Sequence, residues 1–233
     1  ADVATAQITT RDIDRGQFPH FLLKEISEAP TSFRKTLRGK LIERDGLLAV
    51  SLGPDTLPED VRADLRSGAI DRVLVIGQGT AAVAGQALAA GLARFTTETD
   101  LRVDALPATE LSGFGLRSSM ADTLVVAISQ SGTTTDTNRT VDLVRSRGAR
   151  VIAIVNRRGS DLTDKSDGVL YTSDGRDVEM SVASTKAFYS QIAAGLLLAA
   201  AIAEEAGGAV DEGLLRALRL LPAARQNMLF SAT

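Results

Sequence analysis

Several residue types that mark particular classes of protein are missing or scarce in this chain. Among its 233 residues there is no cysteine, no tryptophan and one histidine, and aromatic residues make up 4%. Without cysteine the chain has neither disulfides nor thiolate metal sites, and we expect a cytoplasmic location. The apolar 44% of the chain is dominated by Ala, Leu and Val, a composition typical of helices packed on a sheet.

Neither a block of like charge nor a long apolar run is present. The 26 basic and 29 acidic residues are scattered and give a formal net charge of −3, so we expect neither nucleic acid nor an anionic membrane as partner. The longest apolar run, Ile192–Ala203, has about twelve residues, fewer than the roughly 20 that span a bilayer. No signal peptide opens the chain and its first residue is Ala, so we expect a processed or excised product.

The first third of the chain is predicted to be a helical extension. Residues 20–38 carry an apolar stripe at helical spacing that Pro30 interrupts, which predicts two helices at an angle. A further short helix is predicted at Glu59–Ser67. The predicted organisation is a tail or linker at 1–16, the helical extension at 17–69, the main domain at 70–208 and a C-terminal helix at 209–233.

The main domain alternates short apolar runs with helical stretches. We predict strands at Val73–Ile76, Leu101–Ala105, Val125–Ile128, Val151–Val155 and Gly168–Tyr171. We predict helices at Ala81–Ala93, Thr134–Arg147 and Ser184–Ala206. This alternation, with β-branched and unbroken strands, predicts a parallel sheet buried between two layers of helices. Ligands of such sheets bind beyond the carboxyl ends of the strands, where the strand order reverses.

The loop after the first strand contains glycines. Gly77 and Gly79 lie between a predicted strand and a predicted helix, where backbone N–H groups and the helix dipole favour an anion. With Ala82 they fit a dinucleotide fingerprint, and Glu98 or Asp100 would then bind the ribose. A phosphosugar site and a tight turn without ligand are the other two interpretations.

The loop after the third strand is rich in hydroxyl groups. Six of the nine residues from Ser129 to Thr137 carry one. Hydroxyl and backbone N–H donors at the start of a helix can bind a phosphate without Lys or Arg. Helix capping needs a single hydroxyl, so this loop favours phosphate binding.

Three motifs resemble the sugar isomerase (SIS) family, and most closely its glucosamine-6-phosphate synthases. The first is Ser129-Gln130-Ser131-Gly132 followed by Thr134, Asp136 and Thr137, which resembles the phosphate loop of that family. The second is Ser181-Val182-Ala183-Ser184-Thr185-Lys186-Ala187-Phe188. The third is Asp12-Ile13-Asp14-Arg15-Gly16 with His20, Lys24-Glu25-Ile26 and Pro30. The similarity runs from about residue 12 to about residue 228. It makes the dinucleotide interpretation of the glycine loop the least favoured of the three.

The resemblance implies a fold, a ligand and a set of contacts. It implies a flavodoxin-like three-layer α/β sandwich with a five-stranded parallel sheet, and fructose 6-phosphate or glucosamine 6-phosphate as ligand. No metal, flavin or nicotinamide cofactor is implied. Carried over by position, the phosphate ligands are Ser129, Gln130, Ser131 and Thr134. The sugar contacts carried over in the same way are Thr80, Val182 and Ser184.

The chain departs from the family pattern in the two loops. Gln78 and Ala81 stand where the family has Cys and Ser, and Thr133 and Thr135 replace Glu and Ala. The loss of a hydroxyl at Ala81 leaves the identity of the sugar open. Three further side chains are predicted to be structural. These are His20 as a surface or packing residue, Lys186 as a solvated or hydrogen-bonded lysine and Glu110 as a helix-capping acid. For Glu110 a contact with the cleft of a partner domain stays open as the alternative.

The implied activity is transfer of glutamine-derived ammonia to fructose 6-phosphate followed by isomerisation. In the resembling enzymes the acid–base groups lie in a second domain and a C-terminal tail, so we expect this segment alone to be inactive. A fructosyl-amine-6-phosphate deglycase and a non-catalytic sugar-phosphate sensor are the alternatives. We also expect a homodimer, because this fold usually pairs and the apolar helix Ser184–Ala206 exceeds what one domain needs to bury.

Overall fold

The main domain is built on a five-stranded parallel sheet. The computed structural model describes residues 14–181 and 183–228. The strands are β3 (Arg72–Gly77), β4 (Arg102–Pro107), β5 (Thr123–Ser129), β6 (Arg150–Val155) and β7 (Gly168–Tyr171). Neighbouring strands in the sheet are all parallel, in the order β4-β3-β5-β6-β7, so the expected flavodoxin-like fold with a five-stranded parallel sheet is confirmed.

The position of each strand explains its composition. Every residue of the central strand β5 is buried, whereas the edge strand β4 alternates between exposed and half-buried residues. Unbroken apolar runs are required where both faces are covered, which is why the three strong sequence signals fall on β3, β5 and β6. The two weaker signals fall on the edges β4 and β7.

Helices cover both faces of the sheet. They are α1 (Phe21–Leu37), α2 (Glu59–Ser67), α3 (Thr80–Phe95), α4 (Thr135–Arg145), α5 (Lys186–Glu205) and α6 (Glu212–Met228). Single turns of helix occur at Ala108–Glu110, Leu111–Gly115, Asp161–Asp164 and Thr172–Gly175.

Helix α5 is the main apolar helix of the core. It packs on α3 and α1, and a Cβ added to Gly195 would lie 3.1 Å from Leu88 Cβ, so the glycine allows α3 to come close. Among the described residues α5 is also the one helix with the length and composition to cross a membrane, but 72% of that apolar window is buried inside the fold. The chain itself therefore covers the helix that suggested a dimer.

The N-terminal extension shares the core of the main domain. Phe33 of α1 belongs to the same buried cluster as Val73 of β3. The prediction of two helices there was wrong, because α1 runs without interruption through Pro30. Pro30 is buried, and packing on α5 outweighs the backbone hydrogen bond that proline cannot donate. The sequence interpretation also missed an antiparallel hairpin, β1 (Leu41–Arg44) and β2 (Leu47–Val50).

Candidate functional site

The candidate site lies where the order of the strands reverses. β3 is flanked by β4 and β5, so the chain leaves β3 and β5 in opposite directions across the sheet. The loops after these two strands diverge at their carboxyl ends and open a crevice. A cleft of about 210 Å³ occupies this place.

Three loops that are distant in sequence meet in the cleft. Six of the seven predicted contact residues line it, while Val182 lies outside the described residues. The six are Thr80, Ser129, Gln130, Ser131, Thr134 and Ser184. Their roles as ligand contacts stay predictions. The other lining residues are Gln78, Ala81, Ile128, Glu179, Ser181 and Gln191.

Hydroxyl groups of the β5–α4 loop are held in place by contacts with one another and with the loop backbone. The Oγ of Ser129 is 3.2 Å from Thr134 Oγ1 and accepts a hydrogen bond of 3.0 Å from Gly132 N. The Oγ of Ser131 accepts hydrogen bonds from Thr133 N and Thr133 Oγ1 at 3.2 and 2.9 Å. Thr134 is the N-cap residue of α4, yet its side chain makes no capping hydrogen bond. Its hydroxyl is therefore directed to the loop and the cleft instead of to the helix.

Backbone carbonyls of the same loop are hydrogen-bonded to α4 and to the segment after β6. The carbonyl of Gly132 accepts hydrogen bonds from Leu162 N and Asn138 Nδ2, both at 3.0 Å, and the carbonyl of Gln130 accepts one from Asn156 N at 3.1 Å. With these carbonyls engaged, the loop holds a defined shape before any ligand binds. Such preorganisation lowers the entropic cost of binding.

The β3–α3 loop forms the second wall of the cleft. Gly79, the N-cap of α3, has φ +58°, a conformation that side chains other than glycine rarely adopt. A Cβ on Gly77 would lie 2.8 Å from the backbone carbon of Ala81, so the start of α3 packs against the strand end. Both glycines are thus required by the turn itself, and the glycine pattern needs no dinucleotide to explain it.

The position of Glu98 and Asp100 contradicts the ribose contact that the dinucleotide interpretation assigns to them. Glu98 and Asp100 follow the C-terminus of α3 and precede β4. Because α3 returns the chain to the amino ends of the parallel strands, both acids lie at the edge of the sheet opposite the glycine loop. A ribose bound beside Gly77 would be out of their reach.

The third wall is the segment that leads into α5, and its organising group is a carboxylate. Glu179 Oε1 accepts hydrogen bonds from Thr185 N at 2.8 Å and from Ala187 N at 3.1 Å, and Oε2 accepts one from Ser184 Oγ at 3.3 Å. A carboxylate at this position satisfies N–H groups that the helix leaves free. The sequence interpretation missed Glu179, although an acid shortly before a predicted helix start is a recognisable signal.

Helix α1 holds this third segment in place through two further carboxylates. Glu25 is buried, and its Oε1 accepts hydrogen bonds from Met180 N at 2.5 Å and Ser181 N at 3.3 Å. Asp177 accepts a hydrogen bond from Ser32 and pairs with Lys35 at 3.2 Å. The extension therefore positions residues of the cleft.

The pKa of Asp177 reflects this anchoring. Burial by itself raises the pKa of the carboxyl group, but hydrogen bonds from Ser32 and Ser173 and the charges of Lys35 and Lys186 lower it. The lowering effects together exceed the effect of burial, so the pKa lies below its ordinary value. The carboxylate is the form that the fold requires.

The three side chains expected to be structural lie outside the cleft. Lys186 is 3% exposed and its Nζ donates a hydrogen bond of 2.6 Å to Glu28, which confirms a hydrogen-bonded structural lysine. His20 is exposed at the N-terminus of α1. Glu110 is exposed in the turn of helix after β4 and makes no side-chain capping hydrogen bond in the described part of the chain, so the prediction of a helix-capping acid was wrong.

Comparison with known proteins agrees with the geometry. The model of the SIS domain family matches residues 69–201, which include every strand of the parallel sheet. This chain belongs to the SIS domain family. The match covers the β5–α4 loop and both other walls of the cleft. The expectation of an SIS fold is thereby confirmed.

Relatives of this SIS domain include longer curated proteins. The glutamine–fructose-6-phosphate aminotransferase of Thermus thermophilus is 38% identical over 92% of this chain and 33% of its own length. That of Corynebacterium glutamicum is 41% identical over 90% of this chain and 32% of its own length. The chain thus spans about a third of the length of the curated relatives that it matches.

A solved structure shows the same fold. The C-terminal domain of glucosamine-fructose-6-phosphate aminotransferase from Francisella tularensis superposes with a TM-score of 0.74 at 25% identity. The superposition covers 90% of this chain and 56% of that chain.

Proposed function

We propose that this SIS domain is the sugar-phosphate-binding first half of the isomerase part of a glutamine-dependent fructose-6-phosphate aminotransferase. The observation that carries the proposal is the convergence of Thr80, Ser131 and Ser184 from three separate loops in one cleft. The similarity to aminotransferases from two bacteria supports the same activity. The deglycase and the sensor are not favoured by these relatives.

In this proposal the cleft binds and orients its ligand. Hydroxyl and backbone donors of the β5–α4 loop hold the 6-phosphate, assisted by the N-terminal dipole of α4. The hexose of fructose 6-phosphate or glucosamine 6-phosphate then extends towards α3 and α5. Fixing an open-chain sugar in this way supplies the positional part of catalysis.

We propose further that this segment alone does not turn over substrate. No histidine lines the described part of the cleft, and the carboxylate of Glu179 accepts hydrogen bonds from the start of α5. A free general base for proton transfer on the sugar is therefore not available from these residues. Formation of glucosamine 6-phosphate from fructose 6-phosphate and ammonia by the purified chain would contradict this.

Calorimetric titration tests the binding proposal. We expect fructose 6-phosphate and glucosamine 6-phosphate to bind and NAD to have no effect. Ser131→Ala should weaken both sugar phosphates and inorganic phosphate by about tenfold to a hundredfold, because a charge-assisted hydrogen bond is lost. Ser146→Ala, at the opposite end of α4, is the matched control and should bind like the parent.

Two results would contradict the proposed phosphate site in the cleft. Binding of NAD without binding of sugar phosphates would overturn it. Unchanged affinity in Ser131→Ala would place the phosphate elsewhere.

Homodimerisation is a separate part of the proposal. Val83 of α3 is exposed, and Phe114 is 88% exposed in the turn before β5, so apolar side chains remain at the surface. Sedimentation of the purified chain over a range of concentrations tests the pairing, and a monomer at all concentrations would contradict it.

A further inference from the structure

Gln191 is a buried polar residue in the wall of the cleft. It lies in the second turn of α5, is 2% exposed and lines the cleft beside Glu179 and Ser184. Its Oε1 has no hydrogen-bond partner in the part of the chain that the structure describes. A buried carboxamide oxygen is normally hydrogen-bonded, because leaving it without a partner is unfavourable.

The carboxylate of Glu179, which also lines the cleft, has hydrogen-bond partners for both of its oxygens, unlike the carboxamide oxygen of Gln191. Glu179 receives hydrogen bonds from Thr185, Ala187 and Ser184. Both oxygens of its carboxylate are thus used to hold the segment before α5. Among the described residues Gln191 Oε1 is left without a partner, as are Gln78 Oε1 in the β3–α3 loop and Ser181 Oγ in the segment before α5, and of these three cleft residues Gln191 is the one on α5.

The two sides of the cleft also differ in chemistry. The β5–α4 loop presents hydroxyl groups such as Ser131 and Thr134, which suit an anion. The α5 side presents the unpartnered Oε1 of Gln191, which can accept a hydrogen bond. A ligand with a phosphate at one end and hydroxyl or amino groups at the other matches both sides.

We infer that Gln191 is a specificity-determining residue that accepts a hydrogen bond from a hydroxyl or amino group on the sugar part of the ligand. The inference rests on the proposed function, because it requires the phosphate to bind at the β5–α4 loop. Gln191 thereby distinguishes a sugar phosphate from phosphate alone. A site built to bond a polar group rejects ligands that lack it, since the buried partner then stays unsatisfied.

Replacement of Gln191 by Met tests the inference, because Met retains the length of the side chain and removes the carboxamide. We expect Gln191→Met to weaken fructose 6-phosphate or glucosamine 6-phosphate by about fivefold to tenfold. Inorganic phosphate should bind as it does to the parent. Ser190→Ala is the matched control, since Ser190 is also buried on α5 with an unpartnered Oγ but does not line the cleft. It should leave all three affinities unchanged.

A ligand series identifies the group that Gln191 contacts. Deoxy analogues of the hexose phosphates should include one that binds the parent more weakly but loses nothing further in Gln191→Met, since that pair of changes removes the same contact. If Gln191→Met does not fold, Gln191→Asn, which withdraws the amide by one methylene, serves in the same comparison.

Other outcomes would overturn either the role of Gln191 or the proposed function. An equal loss for inorganic phosphate, or no loss for either sugar phosphate, overturns the role of Gln191. If the parent protein binds no sugar phosphate at all, the proposed function fails before Gln191 is tested. The two failures are therefore distinguishable.

Discussion

Gly132 packs against Ser160 so closely that a Cβ on the glycine would lie 2.0 Å from Ser160 Oγ. Gly132 also has φ +68° and accepts a hydrogen bond of 3.0 Å from Leu162 N. The β5–α4 loop and the turn of helix at Asp161–Asp164 are thus joined without space for a side chain. This contact and the hydrogen bond from Leu162 hold the backbone of the loop at Gly132.

Gly132→Ala should destabilise the fold and weaken phosphate binding. The unfavourable φ costs about 1–2 kcal/mol, and displacement of Ser160 adds to it. Gly159→Ala is the matched control, because Gly159 has φ +59° but no atom within 4 Å of the added Cβ. Urea unfolding should show a larger loss for Gly132→Ala than for Gly159→Ala. Equal losses would mean that the contact with Ser160 relaxes without cost.

Thr134→Ala should separate ligand binding from helix capping. Its side chain makes no capping hydrogen bond and lies 3.2 Å from Ser129 Oγ. We therefore expect a loss of stability below about 1 kcal/mol, the usual value of a cap, and a loss of phosphate affinity of at least about tenfold. Calorimetry and thermal unfolding of one preparation measure both. A large loss of stability with unchanged affinity would make Thr134 a structural residue.

Asp177→Asn should show a stability difference that depends on pH. The pKa of Asp177 is lower in the folded protein, so its contribution is present above the unfolded pKa of about 3.9 and disappears as the pH falls through the folded value. At pH 7 we expect the parent to be more stable by about 2 kcal/mol. Urea titrations from pH 7 to about pH 3 should show this difference shrinking. A difference that is constant over this range would contradict the ionised role of Asp177.

Lys35→Met provides a second measurement of the same group. The charge of Lys35 is one of the causes that lower the pKa of Asp177. Its removal should move the acid transition of the parent to higher pH. An unchanged transition would leave the hydrogen bonds from Ser32 and Ser173 and the charge of Lys186 as the causes that lower the pKa of Asp177.

Ala81→Ser should affect the sugar and not the phosphate. Ala81 lines the cleft at the start of α3 and is buried. A hydroxyl at this place adds a polar contact, so we expect tighter binding of fructose 6-phosphate and unchanged binding of inorganic phosphate. Competition titration of both ligands checks this. Tighter binding of inorganic phosphate would show that Ala81 faces the phosphate instead.

Much of the fold and of the site follows from the sequence alone. Buried parallel strands require unbroken β-branched runs, so β3, β5 and β6 were predictable from local composition. Glu59–Ser67 was predicted with its observed bounds. The hydroxyl-rich loop after β5 and the glycines after β3 could be located from the local sequence, because each reflects a requirement of the loop itself.

The tertiary structure decided what depends on contacts between distant segments. Pro30 remains inside α1 because packing on α5 outweighs the tendency of proline to end a helix. The local sequence does not reveal which of these two effects is larger. Glu25, Glu179 and Gln191 belong to the site only because α1, the segment before α5, and α5 itself meet at the switch point of the sheet. Local propensity is a property of neighbouring residues, whereas burial of a carboxylate or an amide is set by the whole fold.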